Sequence, residues 1–222
     1  MKSIYCEAVL FDLDGVLVNS NACVERLWRM WAQQHGLDIE AILQISHGRP
    51  TVETMRLMAP HLCVEEEART LDRRAASDLV GVVEVVGVSN LLATLPTDCW
   101  AIVTSGDHAI ATNRLRHVGL PLPQVLITSE DVVHGKPDPE GYLKAAKQLG
   151  VSPEKCLVIE DALAGVKAAL AARMQVIAVS TTYPASQLSD ADASISAMTE
   201  IALGRYRISE GRTSLEILLA AQ

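Results

Sequence analysis

Aromatic residues are scarce. Phe, Trp and Tyr make up 4% of the 222 residues, with a single phenylalanine, too few for the stacking platforms on which unpaired bases lie. Positive charge is also short: 19 Lys and Arg stand against 27 Asp and Glu, a formal net charge of -8, so the chain lacks the basic field that neutralises a phosphate backbone. Nucleic acid is therefore not an expected partner. An anionic small molecule remains compatible with this charge if a few cations, backbone amides or a metal outvote the global field locally. No apolar run reaches the roughly 20 residues a membrane helix needs, and Met1-Lys2-Ser3-Ile4 opens no long apolar segment before Glu7 and Asp12. A soluble, cytoplasmic, monomeric protein without a membrane partner is expected. The five cysteines, Cys6, Cys23, Cys63, Cys99 and Cys156, form no Cys-x-x-Cys pair, and their odd number and apolar neighbours predict buried, reduced thiols.

Apolar material is plentiful, at 49% of the chain, and it falls in short runs that each end in polar residues. Cys6–Phe11 ends at Asp12-Leu13-Asp14-Gly15, Cys99–Val103 at Thr104-Ser105-Gly106, Val125–Ile127 at Thr128-Ser129, Cys156–Ile159 at Glu160-Asp161, and Val176–Val179 at Ser180-Thr181-Thr182. Helix-like stretches lie between them, punctuated by Asp138 as N-cap, Pro139 at the first helical position and Gly150 past the end, with Ser152-Pro153 repeating the start signal. Buried strands alternating with helices predict an α/β fold, a doubly wound parallel sheet covered on both faces, in which ligands bind at the carboxyl ends of the strands.

From about Ser20 to Asp78 the alternation stops. Apolar residues at Cys23, Leu27, Met30 and Trp31 keep a helical spacing, and Gly36 and Gly48-Arg49-Pro50 read as helix ends. This predicts an all-helical cap over residues 20–81, inserted with flexible connections near Ser20 and Gly81 into a core formed by residues 1–19 and 82–222. The tail from Arg205 to Gln222 reads as a hairpin around Glu210-Gly211.

The chemistry-bearing residues sit at the strand ends. Asp12 and Asp14, two positions apart, suit a metal site, a nucleophile with its acid/base partner, or a solvated polar turn. Thr104, Ser105 and Gly106 precede a helix, where a hydroxyl and free amides suit either an N-cap or a phosphate site. Lys136, fixed between Gly135 and Pro137, is either a surface lysine or an ammonium aimed at one point, and Glu160-Asp161 offer the oxygen ligands a hard cation prefers.

Four ordered segments, Phe11-Asp12-Leu13-Asp14-Gly15-Val16-Leu17, Thr104-Ser105-Gly106, Gly135-Lys136-Pro137 and Ile159-Glu160-Asp161, resemble the motifs of the haloacid dehalogenase superfamily of phosphotransferases, over residues 5 to 182. Asp161-Ala162-Leu163-Ala164-Gly165 and Lys136-Pro137-Asp138-Pro139 resemble the subgroup with a helical cap after the first motif. The resemblance implies a Rossmann-like core and a Mg²⁺-dependent phosphatase acting through an aspartyl-phosphate on Asp12. Asp14 would be general acid and then base, and Lys136, Thr104, Ser105 and Gly106 would neutralise and bind the phosphate. The metal would be held by Asp12, the backbone carbonyl of Asp14 and Asp161, with Glu160 supporting them. An Asp at position 14 argues against halide displacement, which needs no leaving-group proton. Val24 occupies the place of a histidine in the similar beta-phosphoglucomutases, which favours transfer to water over a sugar-phosphate mutase. No lysine falls between Lys2 and Lys136, which excludes imine-forming phosphonate hydrolysis.

Ile45-Ser46-His47-Gly48-Arg49-Pro50-Thr51 resembles the substrate-facing loop of glycerol-phosphate and 2-deoxyglucose-6-phosphate phosphatases. His47 and Arg49 are accordingly candidate contacts to substrate hydroxyls or phosphate, or else part of a turn that ends a helix. Asn19 departs from the Asp many relatives carry there, at the hinge rather than in the chemistry. The expected partner is a small sugar or polyol phosphate. A phosphate-dependent binding or regulatory module is the reading from a different class, and it gives no reason to keep a nucleophile, an acid/base, a cation and a metal ligand at four strand ends.

Overall fold

The computed structural model describes residues 2–209 and 212–220. The chain runs through β1 (Lys2–Cys6), β2 (Ala8–Phe11) and β3 (Val18–Asn19) into four helices, α1 (Asn21–His35), α2 (Ile39–Ser46), α3 (Thr51–Met58) and α4 (Val64–Ser77). It returns through β4 (Val83–Glu84), α5 (Val88–Thr94), β5 (Trp100–Val103), α6 (His108–His117) and β6 (Val125–Ile127). The remainder is α7 (Glu140–Leu149), β7 (Cys156–Glu160), α8 (Leu163–Ala171), β8 (Gln175–Val179), β9 (Ala193–Ile195), β10 (Ile201–Ser209) and β11 (Arg212–Leu219).

Six of these strands form one parallel sheet in the order β6-β5-β2-β7-β8-β9. Because side chains alternate along a strand, Val9 and Phe11 of β2 join one core with α5 and α6, while Ala8 and Leu10 join the other with α7 and α8. Both faces are covered, as the near-continuous apolar runs predict. The chain leaves β2 for β5 and β6 on one side and returns to β7 on the other, so the carboxyl ends of β2, β5 and β7 lie together at the point where the strand order reverses. Ligands of doubly wound sheets bind at that point.

The helices between β3 and β4 pack on the face that carries α6. Cys23, Leu27, Trp28, Trp31 and Ala32 of α1 and Val64, Ala68, Leu71 and Ala75 of α4 are buried at helical spacing and run into the same apolar cluster as the sheet. The two chain crossings, expected to be flexible, pair with each other as a short antiparallel ribbon, with Val18 opposite Glu84 and Asn19 opposite Val83.

Five local expectations need correction. Cys6–Phe11 is not one strand: Glu7 interrupts it, its amide donating to Lys155 O at 2.7 Å and its carboxylate pairing with Lys155 Nζ at 2.5 Å, and β1 joins a separate antiparallel sheet β1-β11-β10. Helix α7 starts one residue later than expected, with Pro139 as N-cap residue, although the Asp138 carboxylate accepts from the Glu140 amide at 2.9 Å. Ser152-Pro153 opens only a single 3-10 turn, because β7 begins at Cys156. Cys63 is exposed, while the other four thiols are buried. The tail strands pair antiparallel from Ile201 onward, earlier than expected, and the expected turn at Glu210-Gly211 lies outside the described residues. No helix among the described residues is long and apolar enough to cross a membrane.

Candidate active site

Asp12 follows β2 directly, its amide still donating to Ile159 O of β7 at 3.0 Å, so the sheet ladder fixes the backbone that carries its carboxylate. Glu160 ends β7 and Asp161 follows it; both are buried. Lys136 enters from the loop before α7 and is 5% exposed. Its ammonium donates to Asp12 Oδ1 at 2.5 Å, to Glu160 Oε1 at 2.6 Å and to Val103 O at 3.0 Å. An ammonium has three N–H groups, and all three are used. In this geometry Lys136 holds Asp12, and its charge reaches any neighbouring phosphate through space.

Glu160 is as firmly held. Besides Lys136, it accepts from Tyr142 Oη at 2.8 Å and from the amides of Asp161 and Ala162 at 3.0 and 3.1 Å. Asp161 accepts from the hydroxyls of Thr182 and, at 3.4 Å, Thr181. Burial pushes the Asp12 carboxyl up to about 8 against the pull of Lys136, and burial together with Asp12 and Glu160 pushes Asp161 well above the usual carboxylate range. Burial alone would lower the Lys136 ammonium, but Asp12 and Glu160 outweigh it and raise it above its ordinary value. Three buried carboxylates cluster beside one ammonium, which pairs with only Asp12 and Glu160, and oxygen atoms of Asp12, Glu160 and Asp161 lie within 4.8 Å of one another. Buried carboxylates in excess of their cations are costly unless a metal joins them, and an all-oxygen donor set fits a hard divalent cation.

Two glycines make the arrangement possible. Gly15 has φ of +85°, and a Cβ there would lie 1.8 Å from Asp161 Oδ2. A Cβ on Gly165 would lie 1.6 Å from Glu160 Oε1, a group that four donors prevent from moving aside. Gly165→Ala is therefore expected to destabilise the fold by about 3 kcal/mol or more through overpacking and a broken buried network. At about 2–4 °C per kcal/mol for a chain of this size, calorimetry should show a loss of at least ~6 °C; an unchanged Tm would mean that Glu160 is not locked.

Above Asp12 a cavity opens between the sheet and helices α1–α4, and the remaining expected residues line it: Asp14, Thr104, Ser105, Gly106, His47 and Arg49. Asp14 accepts from Ser20 Oγ at 2.5 Å and forms a salt bridge with Arg114. Thr104 Oγ1 accepts from the Gly106 amide at 3.1 Å. Helix α6 starts only at His108, and two of its first-turn amides are engaged, His108 N with Glu130 and Ile110 N with Asp107. The helix terminus thus offers a phosphate less than the sequence suggests. Ser105 Oγ donates to Gly48 O at 2.9 Å, and Gly48 packs so closely on Ala162 that a Cβ would lie 2.6 Å from the Ala162 Cβ. His47 stacks edge-on against Tyr183 with ring centroids 6.0 Å apart, and burial lowers its pKa. Further bonds, Asn113 Nδ2 to Ala76 O at 2.9 Å and Gly135 N to Glu53 Oε1 at 3.0 Å, hold the helices down over the cavity.

Sequence reasoning missed Arg114, Asp72, Tyr142 and the pair Thr181-Thr182. Arg114 carried a readable signal: it lies on the face of α6 defined by buried Ile110, Ala111 and Leu115, where an arginine is 3% exposed only because Asp14 receives it. Tyr142 carried none, since its role depends on a chain crossing far away in sequence, and Thr181-Thr182 carried only their place at the polar end of an apolar run.

A family model for haloacid dehalogenase-like hydrolases matches residues 6–173. Hexitol phosphatase A of Escherichia coli is 39% identical over 201 residues, covering 88% of this chain and 93% of that protein. Glycerol-1-phosphate phosphohydrolase 2 of Saccharomyces cerevisiae is 34% identical, covering 82% of this chain and 77% of its own. Among solved structures, a hydrolase from Pseudomonas syringae superposes with a TM-score of 0.78 at 26% identity, covering 87% of this chain and 94% of the other.

Proposed function

The chain belongs to the haloacid dehalogenase-like hydrolase family and is a phosphoric monoester hydrolase; from that premise we propose that its substrates are small sugar or polyol monophosphates and that its divalent cation is Mg²⁺. The observation that carries this reading is Asp12 itself: a buried carboxylate held at 2.5 Å by Lys136, on the floor of a cavity closed by helices. The named activities of the similar hexitol and glycerol-1-phosphate phosphatases support the substrate class.

Asp12 attacks phosphorus, the ester P–O bond breaks, and the leaving alkoxide takes a proton from Asp14, leaving an aspartyl-phosphate. Asp14, now ionised, takes a proton from water, whose oxygen displaces Asp12 and yields inorganic phosphate. Arg114 and Ser20 hold the Asp14 carboxylate at the cavity wall between these transfers. Thr104 and the backbone after it bind the phosphoryl oxygens, and Lys136 keeps Asp12 aimed. Asp12, Asp161 and the backbone carbonyl of Asp14 would hold the cation, while Glu160, fully engaged with its four donors, positions Lys136 and Asp161. When bound, Mg²⁺ supplies the positive charge that lets two anions meet. Helices α1–α4 act as the cap of this site, spanning residues 20–81 between core segments 1–19 and 82–222, and exclude water during attack. Val24 on the cavity wall cannot relay a proton to a second sugar hydroxyl, which favours hydrolysis over a mutase reaction.

Phosphate release from hexitol, deoxyhexose and glycerol monophosphates should be Mg²⁺-dependent, and no turnover on any ester would overturn the proposal. A second readout needs no turnover. A cation entering this cluster displaces protons from carboxyls that burial has raised, so its apparent affinity increases with pH. Mg²⁺ should therefore raise Tm, more at pH 8 than at pH 6; an equal or opposite shift would contradict the proposed ligands.

A further inference from the structure

The cavity above Asp12 has two unlike walls. Val24, Leu27 and Trp28 of α1 with Leu71 and Ala75 of α4 make one apolar. The other is polar: beside Asn21, His47, Arg49 and Thr51 it includes Ser46 at the end of α2, Asp72 on α4 and Arg114 on α6, the last three with no part in the phosphoryl chemistry beyond Arg114's hold on Asp14. Ser46 and Arg114 are 5% and 3% exposed, and Ser46 Oγ and Arg114 Nε have no hydrogen-bond partner among the described residues. Leaving buried polar atoms unmatched is costly, and the two residues that carry them line one cavity, where a ligand that seats against them can complete them.

Asp72 supplies the complementary acceptor. The Thr51 hydroxyl donates to its Oδ1 at 2.6 Å, fixing the carboxylate on the cavity wall, and no ion pair to it exists among the described residues. Burial pushes this carboxyl up to about 6, only partly offset by Thr51 and the charge of Arg114. Arg114 is already matched by Asp14; Asp72 is an unpaired anion on the α4 side of the cavity, and Arg49, next to Ser46 in the lining, is a cation with no ion pair among the described residues.

We propose that Ser46, Asp72 and Arg114 form the leaving-group subsite and select a neutral polyhydroxylated leaving group. Its hydroxyls donate to Asp72 and accept from Arg114 Nε and Ser46 Oγ, while its C–H edges lie against Leu27 and Trp28. The same carboxylate rejects leaving groups that carry a carboxylate or a second phosphate, because the alternative is two anions at close range in a desolvated cavity. This subsite rests on the phosphatase reading above.

The test compares kcat/KM for sorbitol 6-phosphate, phosphoglycolate and p-nitrophenyl phosphate in the wild type, Asp72→Asn, Asp72→Glu and Ser46→Ala, all with Mg²⁺. Asp72→Asn should lower the ratio of sorbitol 6-phosphate to p-nitrophenyl phosphate by about ten-fold or more, chiefly through KM, and should narrow the gap between sorbitol 6-phosphate and phosphoglycolate. Ser46→Ala should lower the first ratio by a smaller factor. Asp72→Glu keeps the charge and should keep the rejection of phosphoglycolate. A wild type that prefers phosphoglycolate, a ratio unchanged in Asp72→Asn, or a rejection lost in Asp72→Glu would each overturn the subsite. Failure of the wild type to hydrolyse any of the three esters would overturn the phosphatase reading instead.

Discussion

Asp12→Asn abolishes turnover and leaves the fold in place. The amide has the shape of the carboxylate but no nucleophilic oxygen, and loss of a covalent nucleophile lowers kcat by about 10⁴-fold or more. The fold survives because ionised Asp12 is a burden to the metal-free protein: burial opposes its charge strongly enough to raise its pKa to about 8. Neutralising it removes one of three clustered carboxylates, of which Asp12 and Glu160 pair with Lys136. The Tm without metal should therefore stay level or rise, while stabilisation by Mg²⁺ weakens because a ligand has gone. Phosphate release and calorimetry on the same sample check both halves; turnover above about 1% of wild type would remove Asp12 from its role.

Lys136→Met has the opposite balance and the largest expected effect on stability. The side chain keeps its bulk but strands Asp12 and Glu160, which the ammonium joins at 2.5 and 2.6 Å with side-chain exposures of 6% and 0%. Removing one partner of a buried ionic network costs about 3–5 kcal/mol, because the remaining charges are left uncompensated, and at about 2–4 °C per kcal/mol that is ~6–20 °C in Tm. The double variant Lys136→Met with Glu160→Gln should recover part of the loss, since it removes one of the stranded charges. Such non-additivity is what coupled neighbours show. A Tm within about 2 °C of wild type for the single variant would mean that the cluster carries little electrostatic strain.

The contrast between these two substitutions shows what a sequence can disclose. Asp12, Asp14, Lys136 and Asp161 were legible because each sits at the end of an apolar run or beside a proline, where local pattern fixes position. The parallel sheet was legible for the same reason: each central strand is apolar on both faces and stops at polar residues. Pairings were not. That Lys136 uses all its donors on Asp12, Glu160 and Val103 depends on segments 24 to 124 positions away. Arg114 and Asp14 meet across 100 positions, and Asp72 reaches the cavity only because α4 packs on α6. The break at Glu7 belongs to the same class, since its reason is a lysine 148 positions downstream. Neighbouring residues set elements and strand ends; only the folded chain decides which charges meet.

The central claim, that a covalent phosphoryl group forms on Asp12, is most directly tested in Asp14→Asn. With p-nitrophenyl phosphate the leaving phenolate needs no proton, so the first transfer proceeds, while the second lacks the base that activates water. Rapid quench, borohydride reduction of the acyl phosphate and peptide mass spectrometry should then find homoserine at position 12, alongside a burst of p-nitrophenolate approaching one equivalent. A burst with no homoserine, or homoserine at another acidic position, would contradict the account.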